Sequence, residues 1–171
     1  MAGSLIKIDE EIVTSAVASV TLTGIDSTYD VYMVKYNDLE FSSDSQVYAR
    51  VTESGTENTT SNYDVAQKYL KADSAFGNAS GTNRTFWDLS ATSESTVTGH
   101  SGLFYLFNFN NASEYSFITI ESIFFHHTGN SVRGYAGGGV FTSTSSCDGI
   151  FIYPQTGNFN AGVFTLYGLK K

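Results

Sequence analysis

The chain is short of the residues that cross-link or punctuate a fold, and short of positive charge. Cys147 is its single cysteine, so no intrachain disulfide can form and the fold must stand on its core alone. Pro154 is its single proline, which leaves edges and turns to Ser, Thr, Asn and Gly. Lys and Arg together number 9 against 17 Asp and Glu, a formal net charge of -8. That balance offers no basic footprint for a phosphate backbone, so nucleic acid is not an expected partner. No apolar run approaches the ~20 residues of a membrane-spanning helix, and no membrane partner is expected either. The stretch Met1 to Asp9 lacks the basic start and unbroken apolar run of a secretory signal.

What the chain has is aromatic side chains: 13 Phe, 11 Tyr and 1 Trp, a share of 15% that equals its charged share. Aromatics in that proportion suit pleated sheets and subunit interfaces, where charge is depleted. A length of 171 residues suits one domain with a substantial core.

The two runs near the end organise the reading. Ile150 to Tyr153 and Gly162 to Tyr167 are separated by Pro154-Gln155-Thr156-Gly157-Asn158, and the pattern predicts an antiparallel hairpin. The first run is apolar on both faces, which predicts a central position covered on two sides by the rest of the domain or by a neighbouring subunit, with Phe151 and Phe164 on paired strands in the densest part of the core. Upstream, Leu5 to Ile8 alternates and is expected to be an arm that pairs with a sheet edge or reaches a neighbour. Ile12–Ile25, Tyr29–Phe41 and Gln46–Thr52 read as strands, followed by a polar loop from Glu53 to Asn62. Asn62 to Lys71 fits one helical face through Val65, Ala66, Tyr69 and Leu70, and alternates equally well; in a chain otherwise β, the strand is preferred. Ala72 to Ser101 is small and polar with one strand near Thr85–Leu89, and Gly102–Asn108, Tyr115–Phe125 and Arg133–Thr142 complete the set. The expectation is all-β: a two-sheet antiparallel sandwich of about eight strands, with residues 1–12 as an N-terminal arm and 13–171 as the domain.

No catalytic, cofactor or metal signature emerges, and no enzyme is expected. His126 and His127 are neighbours on a strand and point to opposite faces, so with His100 they would share a metal only at a subunit axis. Cys147 has no His partner motif and reads as a packed thiol. Asp26, Asp30, Asp38, Glu40 and Asp44 carry oxygen but no calcium-loop spacing. Glu121 reads as an outer-face residue, and Gly137-Gly138-Gly139 as a bulge or a close backbone approach. The Asn-X-Ser/Thr triplets at Asn58, Asn78, Asn83 and Asn111 fit loops. Phe76, Trp87 and Tyr63 are aromatics that would stack on sugar rings if exposed, with core packing the default for Trp87.

The closing residues Ser145 to Tyr153, then Thr156-Gly157-Asn158, Gly162 and Phe164-Thr165-Leu166-Tyr167-Gly168, resemble the last strands of a bacteriophage virion domain found in capsid-decoration and tail-associated proteins, common in phages of marine bacteria and cyanobacteria. Leu22 to Tyr32 is similar to that family's opening strand, and Ser113 to Phe117 and Gly137 to Phe141 to its middle. The resemblance implies a jelly-roll-like sandwich working in a virion, commonly as a homotrimer, and carries over no catalytic residue. The expected role is capsid decoration (a cement protein) docking on the major capsid protein from outside the head. A tail-associated receptor- or carbohydrate-binding domain that meets a host-surface glycan is the alternative. A tail fibre is disfavoured because the residues ahead of the sandwich leave little room for a shaft or adaptor.

Overall fold

Residues Ser116–His126 show how this fold arises: Ile118, Ile120 and Phe124 are buried while Phe117, Thr119, Glu121 and Ile123 alternate with them on the exposed side. Period-two alternation of this kind recurs along the chain and produces half-buried strands. The computed structural model describes residues 4–128 and 131–170, with strands and no helix among the described residues. In order they are Ser4–Val13 (β1), Val20–Thr23 (β2), Val31–Phe41 (β3), Val47–Glu53 (β4), Thr56–Glu57 (β5), Tyr63–Lys71 (β6) and Gly77–Arg84 (β7). Trp87–Asp88 (β8), His100–Phe107 (β9), Ser116–His126 (β10), Ser131–Phe141 (β11), Gly149–Pro154 (β12) and Phe159–Lys170 (β13) follow.

They form two antiparallel sheets. The larger has 8 strands in the order β1-β13-β3-β9-β10-β11-β6-β7, and the smaller has 5, ordered β2-β12-β4-β5 with β8 also on β4. The core lies between them: Val34, Tyr36, Phe104, Ile120 and Phe164 from the larger sheet meet Leu22, Val47, Val51, Ile150 and Ile152 from the smaller. Trp87 is fully buried, edge-on to Tyr63 at 5.0 Å, and its indole N–H donates to the Val140 carbonyl at 3.3 Å. The triple glycine makes room for it. A Cβ at Gly139 would lie 2.7 Å from the indole, so the close-approach reading of Gly137-Gly138-Gly139 holds.

The terminal hairpin does not form. β12 pairs with β2 and β4 in the smaller sheet, whereas β13 pairs with β1 and β3 in the larger. The connection from Gln155 to Asn158 crosses the sandwich edge beside the β3–β4 connection. Gln155 N–H donates to the Gln46 carbonyl at 2.9 Å, Thr156 N–H to Ser45 Oγ at 3.1 Å and Asn158 N–H to Ser42 Oγ at 2.8 Å. Gly157 takes φ +70 at this corner, in the left-handed region that glycine adopts without strain. One two-stranded ribbon, β3–β4 with β12–β13, thus folds over from one sheet to the other. Consequently Phe151 is half-buried on the outer side of the smaller sheet, while Phe164 is fully buried.

Other differences are local. Ile12–Ile25 is not one strand, because residues 14–19 leave the sheets and only Val17 bridges to Phe159. β7 and the short β2, β5 and β8 raise the strand number above about eight; β7 (GNASGTNR) carries no apolar alternation to announce it. Tyr63–Lys71 is a strand. Asn78 and Asn83 sit on β7 rather than in loops. The alternating stretch near the N-terminus takes the edge-pairing option, β1 running against β13, with Met1 to Gly3 outside the described residues.

Phe164→Ala is expected to cost about 3–5 kcal/mol through lost burial and a residual cavity, out of a total stability of about 5–15 kcal/mol. Phe151→Ala should cost well under half of that. Urea denaturation of both variants checks the ranking, and equal losses would mean that the outer side of β12 is as dry as the core.

Candidate functional site

The residues singled out for chemistry are dispersed. His100 is the first residue of β9 and is only 1% exposed. Its ring packs against Phe124 at 5.1 Å, Phe41 at 5.5 Å and Tyr36 at 5.7 Å. Neither ring nitrogen has a hydrogen-bond partner among the described residues. Burial without a partner disfavours the imidazolium and pulls the His100 pKa down to about 3. His126 ends β10, with Nδ1 2.9 Å from the Thr128 carbonyl, and burial lowers its pKa too. The His127 ring lies 4.8 Å from that of His126. Among the described residues no group of three His, Cys, Asp or Glu side chains converges.

The acidic candidates serve the loops. Asp26 accepts from Thr28 N–H at 2.8 Å and from the Tyr32 hydroxyl at 3.0 Å, and these hydrogen bonds hold its pKa down. Asp44 accepts from Ser95 Oγ at 2.6 Å and Ser95 N–H at 2.8 Å, with the same effect. Cys147 is buried, its thiol pushed up to about 12 chiefly by that burial. Trp87 and Tyr63 are fully buried, so neither is available to a sugar; Phe76, at 61% exposed, is.

Two surfaces remain, and both belong to sheets rather than loops. The first is an aromatic cluster on the outer side of the smaller sheet, which sequence reading missed because its members come from β4, β8's approach and β12. Tyr48 stacks on Phe86 at 4.0 Å and meets Tyr153 at 5.6 Å, and Phe151 lies 5.4 Å from Tyr153. Arg50 lies over the Tyr153 ring at 4.7 Å and pairs with Glu57 at 2.7 Å. Arg84 lies over Phe86 at 4.5 Å and pairs with Asp88, whose pKa burial raises against the opposing pull of Arg84.

The second is the outer face of the eight-stranded sheet. Phe117 (46%), Ile123 (50%), Val132 (46%) and Leu70 (41%) stand exposed on adjacent strands. Glu121 is there as expected, exposed and facing outward. A hollow of about 560 Å³ opens above Gly134 between Leu70, Leu103 and Ile123, with Lys35 and Glu121 on its rim. Another of about 530 Å³ opens above Gly138, beside Phe117 and Val140. The exposed apolar side chains form two patches, one at Phe117 and one around Leu70, Ile123 and Val132, with Thr119 and Glu121 between them.

The buried imidazole sets a pH dependence. Unfolded, His100 binds a proton below its ordinary pKa of 6.5; folded, it does not until about 3. The unfolded state therefore holds the extra proton between those values, and stability falls as pH drops through that window by about 1.4 kcal/mol per pH unit for one such proton. His100→Leu should remove that part of the slope and leave neutral-pH stability unchanged or higher. Denaturation midpoints from pH 7 to pH 4 decide it, and parallel profiles for the two proteins would refute the role of His100.

No protein family, no curated protein and no solved structure matches the chain.

Proposed function

We propose that the chain is a non-enzymatic structural subunit of a bacteriophage virion, a capsid-decoration protein that packs against copies of itself and against the major capsid protein on the outside of the head. The observation that carries this reading is the exposed apolar outer face of the eight-stranded sheet, since a sheet face of this composition is suited to lie against another protein. The motif resemblance of the closing strands agrees with it. So does the ribbon of β3–β4 with β12–β13 folded across the sandwich edge, which is in keeping with a jelly-roll-like arrangement. The acidic balance, a formal -8, suits a protein added to a lattice from solution rather than one that contacts packaged nucleic acid.

The alternative is a tail-associated domain that binds a host-surface glycan. The aromatic cluster of Phe86, Phe151 and Tyr153, backed by the buried Tyr48, favours it, because part-exposed rings flanked by arginines and carboxylates are what a sugar ring stacks on.

Cryo-EM of the virion encoded with this chain, with subunits identified by mass spectrometry, tests both. Density for the chain at regular sites on the head is the expected result. Density only on the tail selects the glycan reading, and absence of the chain from purified virions refutes both.

A further inference from the structure

The outer face of the eight-stranded sheet carries one row in which charge alternates with strand order. Cross-strand register sets Glu10 opposite Thr165, Thr165 opposite Lys35 and Lys35 opposite Leu103; Leu103 then faces Glu121, Glu121 faces Ala136 and Ala136 faces Lys68. Every second strand thus holds a charge, in the sequence negative, positive, negative, positive. Lys35 and Glu121 are both exposed, and among the described residues neither makes an ion pair or a side-chain hydrogen bond. They flank Leu103 on the central strand β9, two strand spacings or about 10 Å apart.

We infer that a second copy of the chain covers this face, related by a two-fold axis that lies in the interface and runs along β9. That rotation keeps each row at its own level and reverses strand order. It brings Lys35 of each copy to Glu121 of the other, and sets Glu10, which already pairs with Lys7 at 2.9 Å, opposite Lys68. A two-fold axis across the strands would instead set Lys35 against Lys35 and Glu121 against Glu121, which like-charge repulsion opposes. The next two rows on one side of it fit the same operation, while on the other side the register shift between Tyr36 and Leu39 breaks the row. Tyr167 comes over Gly138, where the second hollow lies, and Val31 comes against Phe117. In these rows a large ring meets a gap and one apolar side chain meets another, while Met33 comes to Thr119.

The area is sufficient. Eight strands span about 34 Å, and the four outward rows about 24 Å, so the face measures on the order of 800 Å². Each partner in a standard stable interface contributes roughly that much. The resemblance implied a trimer, whereas this row is self-complementary for a pair. The inference rests on the virion reading only in taking a copy of the chain as the occupant.

The test is charge reversal in the purified full chain: Lys35→Glu, Glu121→Lys, and the two combined, followed by sedimentation across a concentration series. Circular dichroism confirms folding, which exposed positions should not disturb. The parent chain should be a dimer. Each single reversal places like charges together twice and should weaken the dimer about a hundredfold. The double reversal restores both contacts and should return the affinity to near the parent value. A parent that stays monomeric, a trimer indifferent to either single change, or a double variant no tighter than the singles would overturn the pairing. A monomer that is nonetheless found in the virion would sink this inference and leave the virion reading standing, while a dimer absent from virions would do the opposite.

Discussion

The structure depends on a corner. Where the chain leaves the smaller sheet after Pro154 and enters the larger at Phe159, its backbone amides would be stranded at the edge of the core without partners. The β3–β4 connection supplies them: Gln46, Ser45 and Ser42 accept from Gln155, Thr156 and Asn158 in turn, while Ser42 N–H donates to the Asn158 carbonyl at 3.0 Å. Both connections cross together, so the pairing of β3 with β13 and of β4 with β12 becomes one continuous ribbon. Fixing that ribbon fixes which faces of the two sheets look at each other. Val34, Tyr36, Phe164, Ala49 and Ile152 then share one interior.

This corner was the part that the sequence concealed. The strands themselves were legible, because side chains alternate in and out and strand runs such as Tyr115 to Phe125 display the alternation directly. Pairing is a non-local property. Two apolar runs joined by Pro-Gln-Thr-Gly-Asn look like a hairpin whether the turn doubles back or climbs over an edge, and Gly157 takes positive φ in either case. The expectation that the domain itself covers β12 on both sides failed for a related reason. Phe151 and Tyr153 are apolar enough to suggest a second core, yet they are sheltered only by neighbouring rings and by Arg50.

The candidate sites divide in the same way. Single residues could be assessed from their neighbours in sequence: Cys147 as a packed thiol, Glu121 on an outer face, the triple glycine as a place of close approach. Surfaces could not. Glu10, Lys35, Glu121 and Lys68 are scattered through the chain, and only the strand order of the sheet places them in one line. Tyr63, offered as a ring for sugars, is instead one of the largest core residues, while Trp87 is packed in the core as its default reading had it.

The two edges of the larger sheet are blunted in different ways. β1 brings Asp9, Glu10 and Glu11 together with a register shift at Lys7 to Asp9, and β7 is a strand of Gly, Asn, Ser, Thr and Arg with almost nothing apolar to offer. Charge, bulging and a lack of apolar side chains are the means by which sheets refuse further strands. Edges terminated in this way disfavour growth of the larger sheet by strand addition. Copies that met through the outer face of this sheet would make a contact that closes on itself, and such contacts give a particle of definite size rather than a fibre.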